Sequence, residues 1–298
     1  MQITAMRRIT AIGGGHGLGR VLSTLAFMKH KLVGVVATTD NGGATGLLRQ
    51  AHHTIAWGDI RNCLSQLVEQ PLAADVLNYR FDGKTSLAGH NLGNLLLYTL
   101  DQVSARPIDG IQLLSRLLNI NTRLLPMSEC PTDLIATTDE GIQCHGEILI
   151  DKLEHMPRSL TLSGDAQATP EAVRHLYKSD LIILGPGSFL TSVLPPLLVK
   201  DIAQAIKQSA GKVIFVDNLV HEKGASGQLS LTEKLVFLEQ HIGSNVIDLV
   251  LSNHRDPALS VPQVDGLRAD SDVHYRHDPQ SLLEQLNFAV ETLFKKPA

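Results

Sequence analysis

Residues 31–46 read KLVGVVATTDNGGATG, an apolar run closed by threonines, an acid, an amide and two glycines. The LVGVV segment is apolar on both faces, as a central strand of a parallel sheet is. Backward from it, RITAI (8–12) is another short strand, GGGHGLG (13–19) a glycine turn, and Leu18 to His30 a helix. The front of the chain therefore reads β–turn–α–β. Forward from it, WGDIRN (57–62) opens a helix with Asp59 as N-cap and Ile60, Cys63, Leu64, Leu67 and Val68 as its buried stripe. Two leucine-rich helices follow, over 89–104 and over 107–120, the second with Pro107 in its first turn.

Residues 123–165 change character. LIATTDEGIQCHGEILI alternates around Asp139–Glu140–Gly141, which predicts a β-rich antiparallel hairpin insertion within one domain of residues 1–298. From Thr169–Pro170 the βα rhythm resumes: a helix, the strand LIIL, a helix over about 191–209, the strand KVIFVDN, the polar loop VHEKGASGQLS, a helix, the strand IDLVLSN, and a last helix with Asp278 as N-cap and Pro279 at N1. The expected class is α/β, with a mainly parallel sheet covered on both faces.

The bulk properties exclude several functions. A 298-residue chain that is 43% hydrophobic, 19% charged and of net charge -4 has no global basic field for nucleic acid or anionic membrane. Three dispersed cysteines, Cys63, Cys130 and Cys144, show no metal-ligand spacing and predict reduced thiols in a cytoplasmic protein. The uncharged run 181–199 is broken by Gly185–Pro186–Gly187 and by Pro195–Pro196, so it reads as strand, turn and helix rather than a membrane span. The N-terminus lacks the apolar region of a signal peptide.

In such a sheet ligands sit beyond the carboxyl ends of the strands. Four glycine-rich or polar corners fall there: 13–19, 38–46, 185–192 and 217–224. Glycine lets backbone N–H groups approach an anion, and a following helix start adds partial positive charge. The corners at Gly13–Gly14–Gly15–His16–Gly17–Leu18 and at Gly185, Gly187 and Ser188 suit a diphosphate. Asp40 and Asn41 suit sugar hydroxyls or Mg²⁺, with Gly42 and Gly43 bringing the backbone close. Arg61 and Asn62 suit phosphate or carboxylate recognition and Arg49 is a further candidate phosphate contact, although by itself Asp59 reads first as a cap and Arg49 by default as a surface side chain. Asn91 and Asn94 precede and enter a helix otherwise full of leucine, which points to a cap or directed hydrogen bonds. Trp57 is open between ring stacking and core packing. The spacing of GxGxxG fails, because its last glycine would fall on Leu18 or Arg20; Asp40 still leaves NAD open. No nucleophile elbow or Cys/His pair is present.

Taken in order, GGGHGLG, TTDNGGATGLLRQ, GDIRNCL, GHNLGNLLL, LLPMS, GPGSFLTS and VDNL resemble the CofD-like family, and within it the YvcK-type gluconeogenesis factors of the shorter enterobacterial kind. The resemblance covers residues 8 to 255. It implies a Rossmann-like three-layer sandwich that binds a nucleotide or UDP-sugar such as UDP-N-acetylglucosamine, with a role in growth and cell shape on gluconeogenic carbon sources. More distant CofD relatives are transferases that move a phospholactyl group from a guanosine diphosphate donor with Mg²⁺; in that case Asp40 and Asp59 would hold the metal and act in catalysis. Carried over by position, Gly13–Leu18 match the family's nucleotide loop, Asp40–Gly43 its acidic glycine motif, Asn94 its GHxLGN motif, Gly185–Ser188 its second phosphate corner, and Asn218 lies in its VDNL block. Four departures stand out: Asn41 where a second acid is common, which weakens a paired-carboxylate metal site, Leu47 where arginine is common, Ala56–Trp57 where two prolines are common, and the loop HEKGASG in place of the usual polar loop. The transferases' deazaflavin pocket is not identifiable in this sequence, which favours a ligand-binding regulator over a working transferase. The sequence leaves a homo-oligomer open.

Overall fold

The sheet forms because four short apolar runs are buried on both faces and need cover from helices on each side. The computed structural model describes residues 2–295. Strand β1 (Ile9–Gly13) leads through α1 (Gly15–Thr24) into β2 (Leu32–Val36). Five helices follow: α2 (Gly43–Ala51), α3 (Gly58–Leu67), α4 (Pro71–Asn78), α5 (Leu92–Val103) and α6 (Pro107–Leu117). Then come β3 (Arg123–Pro126), β4 (Leu134–Thr137), β5 (Gln143–His145), α7 (Glu147–Ile150), β6 (Ser159–Leu162) and α8 (Pro170–Tyr177). The rest runs β7 (Leu181–Leu184), α9 (Leu194–Leu198), α10 (Lys200–Gln208), β8 (Lys212–Val216), α11 (Leu231–Ile242), β9 (Leu249–Leu251), β10 (Gln263–Val264) and α12 (Pro279–Leu293).

Seven strands pair in the order β10-β9-β8-β7-β1-β2-β3, every pair parallel. The chain winds outward from β1 to β3, then returns to β7 on the other side of β1. The order therefore reverses between β1 and β7, where the register joins Ile9 to Leu181 and Ile12 to Leu184. Alternate side chains of one strand enter two cores: Ile9 and Ala11 join the layer of α1, α3 and α12, while Ile12 joins that of α9, α10 and α11. The fold is the expected Rossmann-like α/β sandwich with a small antiparallel sheet, β5-β4-β6.

Local details differ from the sequence reading. The excursion expected over 123–165 begins later, because β3 is apolar enough to serve as the buried edge of the main sheet beside β2. The helix expected from Leu18 starts at Gly15 and stops at Thr24, where a tight turn with Lys29 at φ 53 carries the chain into β2. The helix expected over 191–209 is three pieces. A wide turn over Phe189–Val193 precedes α9, because Pro195 and Pro196 have no N–H to give to preceding carbonyls, and α9 meets α10 at 81°. Asp59 is not the N-cap of α3. Trp57 enters the helix already in αR conformation, so Asp59 is its second residue. Pro107 and Asp278–Pro279 stand where expected. Among the described residues no single helix is long and apolar enough to cross a membrane.

Candidate functional site

A cavity of about 500 Å³ opens where the strand order reverses, at the carboxyl ends of β1 and β7. Its floor is the start of α1. Gly14 caps that helix with no side-chain hydrogen bond; the Gly15 N–H is taken by the Asp59 carboxylate, and those of His16 and Gly17 stand at the uncapped end. Two glycines are required here by close approach: a Cβ on Gly17 would run into the Pro186 carbonyl oxygen, and one on Gly14 into the Asp59 carboxylate. The first and third glycine corners are thus one structure.

The cavity joins Gly14, Gly15, His16, Gly17, Asp40, Asp59, Asn62, Gly187, Ser188 and Asn218, as the sequence reading expects. It leaves out other candidates. Leu18 is buried in the core beneath the turn, and Gly13 and Gly185 lie behind the lining. Asn41 faces the insertion, its Oδ1 accepting the Ile148 N–H at 3.2 Å. Gly42 donates its N–H to Asp40 Oδ1 at 2.6 Å and caps α2, while Gly43 faces Arg80. Arg49 is not a surface side chain: its guanidinium donates to the carbonyls of Thr39, Asp40, Thr54 and Thr132 and pairs with Asp133. Arg61 reaches Asn78 at 2.6 Å. Asn91 caps α5 by accepting the Asn94 N–H, and Asn94 donates to Thr45. Trp57 is core, its indole N–H held by Thr54.

The third corner differs in kind from the first. Its amides already have partners: Gly187 donates to Asn218 Oδ1, and Phe189 donates to both carboxylate oxygens of Glu222 at 3.2 and 3.0 Å. Asn218 Nδ2 and Ser226 Oγ also donate to Glu222. A fixed anion belonging to the chain thus occupies this corner. The Ser188 and Thr191 hydroxyls turn to Asp151 rather than capping a helix.

One wall of the cavity is acidic. Burial first, then the Asp40 charge, pushes Asp59 up to about 7 against the pull of the Gly15 N–H, Arg61 and Asn62. Burial, then Asp40, Asp59 and Asp151, pushes Glu147 up to about 9. Burial also raises Asp151 and Glu222. The other wall carries Arg20, paired with Asp270 at 3.0 Å, and Arg276. Both have a buried Nε without a hydrogen-bond partner. The two histidines there add no charge. His277 falls to about 4 through burial while its Nε2 donates to the Asp217 carbonyl at 3.1 Å, and His16 is lowered by burial and by Arg276 and Arg61. Perturbed carboxylates facing arginines in a cleft make this the candidate functional site.

Sequence reasoning missed Arg20, Glu147, Glu222, Tyr275, Arg276 and His277. Arg20 was accessible as the residue one helical turn beyond Gly17. Residues 275–277 are brought in by a loop pinned through an Ala269–His277 bridge, which no local pattern announces.

The donor set tests the metal expectation. Among the described residues no three His, Cys, Asp or Glu side chains are grouped to hold an ion. Asp40 and Asp59 remain, which fits Mg²⁺ carried by one or two carboxylates and substrate phosphates, and does not fit an all-protein cage.

The family described as "2-phospho-L-lactate transferase CofD" matches residues 9–293. The chain belongs to the CofD family. CofD-family relatives called "putative gluconeogenesis factor" include one from Pasteurella multocida, 44% identical over 286 residues that cover 94% of this chain and 92% of that one. Another, from Vibrio cholerae, is 43% identical over 96% of this chain and 98% of its own. One from Lactococcus lactis is 33% identical over 83% and 77%. The crystal structure of a UPF0052 family protein from Bacillus halodurans superposes with a TM-score of 0.87 at 28% identity, covering 94% of this chain and 98% of that one.

Proposed function

We propose that this CofD-family chain is a nucleotide-sugar-binding protein of the gluconeogenesis-factor type, taking a UDP-sugar in the cavity. The observation that carries the reading is the uncapped start of α1 at His16–Gly17, opening into the same space as Arg20 and Arg276. Free N–H groups and two permanent cations suit a diphosphate. The acidic wall of Asp40, Asp59 and Glu147, with Asn62, offers acceptors to sugar hydroxyls, and a volume of about 500 Å³ suits a ligand of this size. On this reading the protein acts in the cytoplasm as a regulator of growth and cell shape on gluconeogenic carbon sources, not as a catalyst. Calorimetry with UDP-N-acetylglucosamine, UDP and NAD tests it. The expected result is binding of both uridine ligands, lost in Arg276→Gln; no binding at millimolar ligand sinks it.

The facing carboxylates favour a second reading, an Mg²⁺-dependent transferase. Bound by Asp40, Asp59 and the diphosphate, the metal would neutralise charge on the departing phosphate. Arg20 and Arg276 would orient the phosphates of the donor. Asp40→Asn should then abolish turnover in a folded protein. Unchanged Mg²⁺-dependent ligand affinity in that variant counts against this reading.

A further inference from the structure

A second cavity, of about 350 Å³, lies at the opposite edge of the sheet. Arg8 immediately precedes β1 and Arg123 opens β3, while Glu171, Arg174, His175 and Lys178 come from α8 and its end. The length of β1 alone, about 16 Å, separates it from the first cavity. Its sign is the reverse of the chain's net charge of -4.

Four permanent cations share one carboxylate here. Glu171 is itself committed to Arg106 and Arg174, each at 3.0 Å. The nearby Asp180 spends Oδ2 on the backbone N–H groups of Arg7 and Arg8. Among the described residues Arg8, Arg123 and Lys178 have no salt-bridge partner. Arg123 instead places Nη1 3.1 Å from His175 Nε2. A guanidinium only donates, so this ring nitrogen accepts and the imidazole is held neutral among cations. Burial, followed by Arg123, Arg8, Arg174 and Lys178, lowers its pKa accordingly.

Like charges gathered in a concave site repel one another unless an anion joins them. We propose that this pocket binds a small multiply phosphorylated anion, bridged by Arg8, Arg123 and Lys178. A recess of this volume admits a di- or triphosphate group rather than a polymer, and the unpaired charge matches such a ligand. The site is separate from the nucleotide-sugar cleft and does not depend on that reading.

Pyrophosphate is the probe, and the histidine ring resonances followed by NMR at physiological ionic strength are the readout. His175→Gln assigns the signal. Pyrophosphate should shift the His175 resonance and raise its pKa, and the apparent affinity should fall roughly tenfold or more in Arg123→Gln and in Arg8→Gln/Lys178→Gln. Arg8 and Lys178 are exposed, so that double variant tests the site without disturbing the core. Arg276→Gln should leave the response intact, which separates this pocket from the cleft. A silent His175, an undiminished response in the Arg8→Gln/Lys178→Gln variant, or an equal response to chloride at the same ionic strength would each overturn the proposal.

Discussion

Asp59 allows the acidic wall to be tested by stability alone. It is 8% exposed, and its pKa moves from an ordinary 3.8 to about 7 through burial and the Asp40 charge. The folded protein therefore binds this proton more tightly than the unfolded chain does. Stability from this group is greatest below the unfolded value of 3.8, falls as pH rises, and levels off above about 7. At about 1.4 kcal/mol for each factor of ten, the cost of the ionised form is a little over ~4 kcal/mol. Asp59→Asn removes that cost while keeping the size of the side chain. Urea unfolding of the variant should show a gain of roughly 2–4 kcal/mol at about pH 8 and little gain at about pH 4. Glu147, raised from 4.5 to about 9, keeps a residual downward slope in the variant. A loss of stability at the higher pH, or a difference independent of pH, would refute the electrostatic account of this wall.

Gly17→Ala sets a methyl against the Pro186 carbonyl; it should cost roughly 1–3 kcal/mol by thermal melting and abolish binding of the uridine ligands by calorimetry. Unaltered affinity there would show that the α1 turn is not the diphosphate seat. Arg49→Ala strips donors from four carbonyls and should lower unfolding free energy by roughly 2–4 kcal/mol with ligand affinity unchanged. Lys234→Met leaves Asp217, paired at 2.7 Å, without its cation and should cost roughly 3–5 kcal/mol, most of it recovered in Lys234→Met/Asp217→Leu. Glu222→Gln removes the anion at the third corner and should tighten diphosphate binding severalfold, on the order of 1 kcal/mol, as read by calorimetry. Weaker binding would mean that the carboxylate supports the site instead of opposing it.

The parallel sheet and the first glycine corner were legible because both depend on local pattern. A strand buried on both faces must be apolar throughout, and a turn that passes under a carbonyl must be glycine. What decided the rest was distance in sequence. Phe189 and Glu222 are 33 residues apart, and nothing in GPGSFLTS signals that its amides are already engaged. Glycine and serine there indicate N–H groups that can approach an anion, whether that anion is a ligand or a glutamate from the next βα loop. Arg49 misled for a similar reason. Arginine beside a glycine corner suits phosphate, yet here it satisfies carbonyls left open between β2 and α3.

The departure at Asn41 can now be weighed on geometry. Its side chain holds the Ile148 N–H and packs against Gly146, at the start of α7. A carboxylate in the same place would accept the same N–H and would likewise point away from the cavity. The neighbouring residue of α7, Glu147, is the one that enters the cleft, beside Asp40 and Asp59. Position 41 thus fixes where the insertion meets the main sheet, and the insertion in turn delivers the third acid. The acidic wall is assembled from three separate segments, at β2, α3 and α7, and asparagine at 41 removes none of its members.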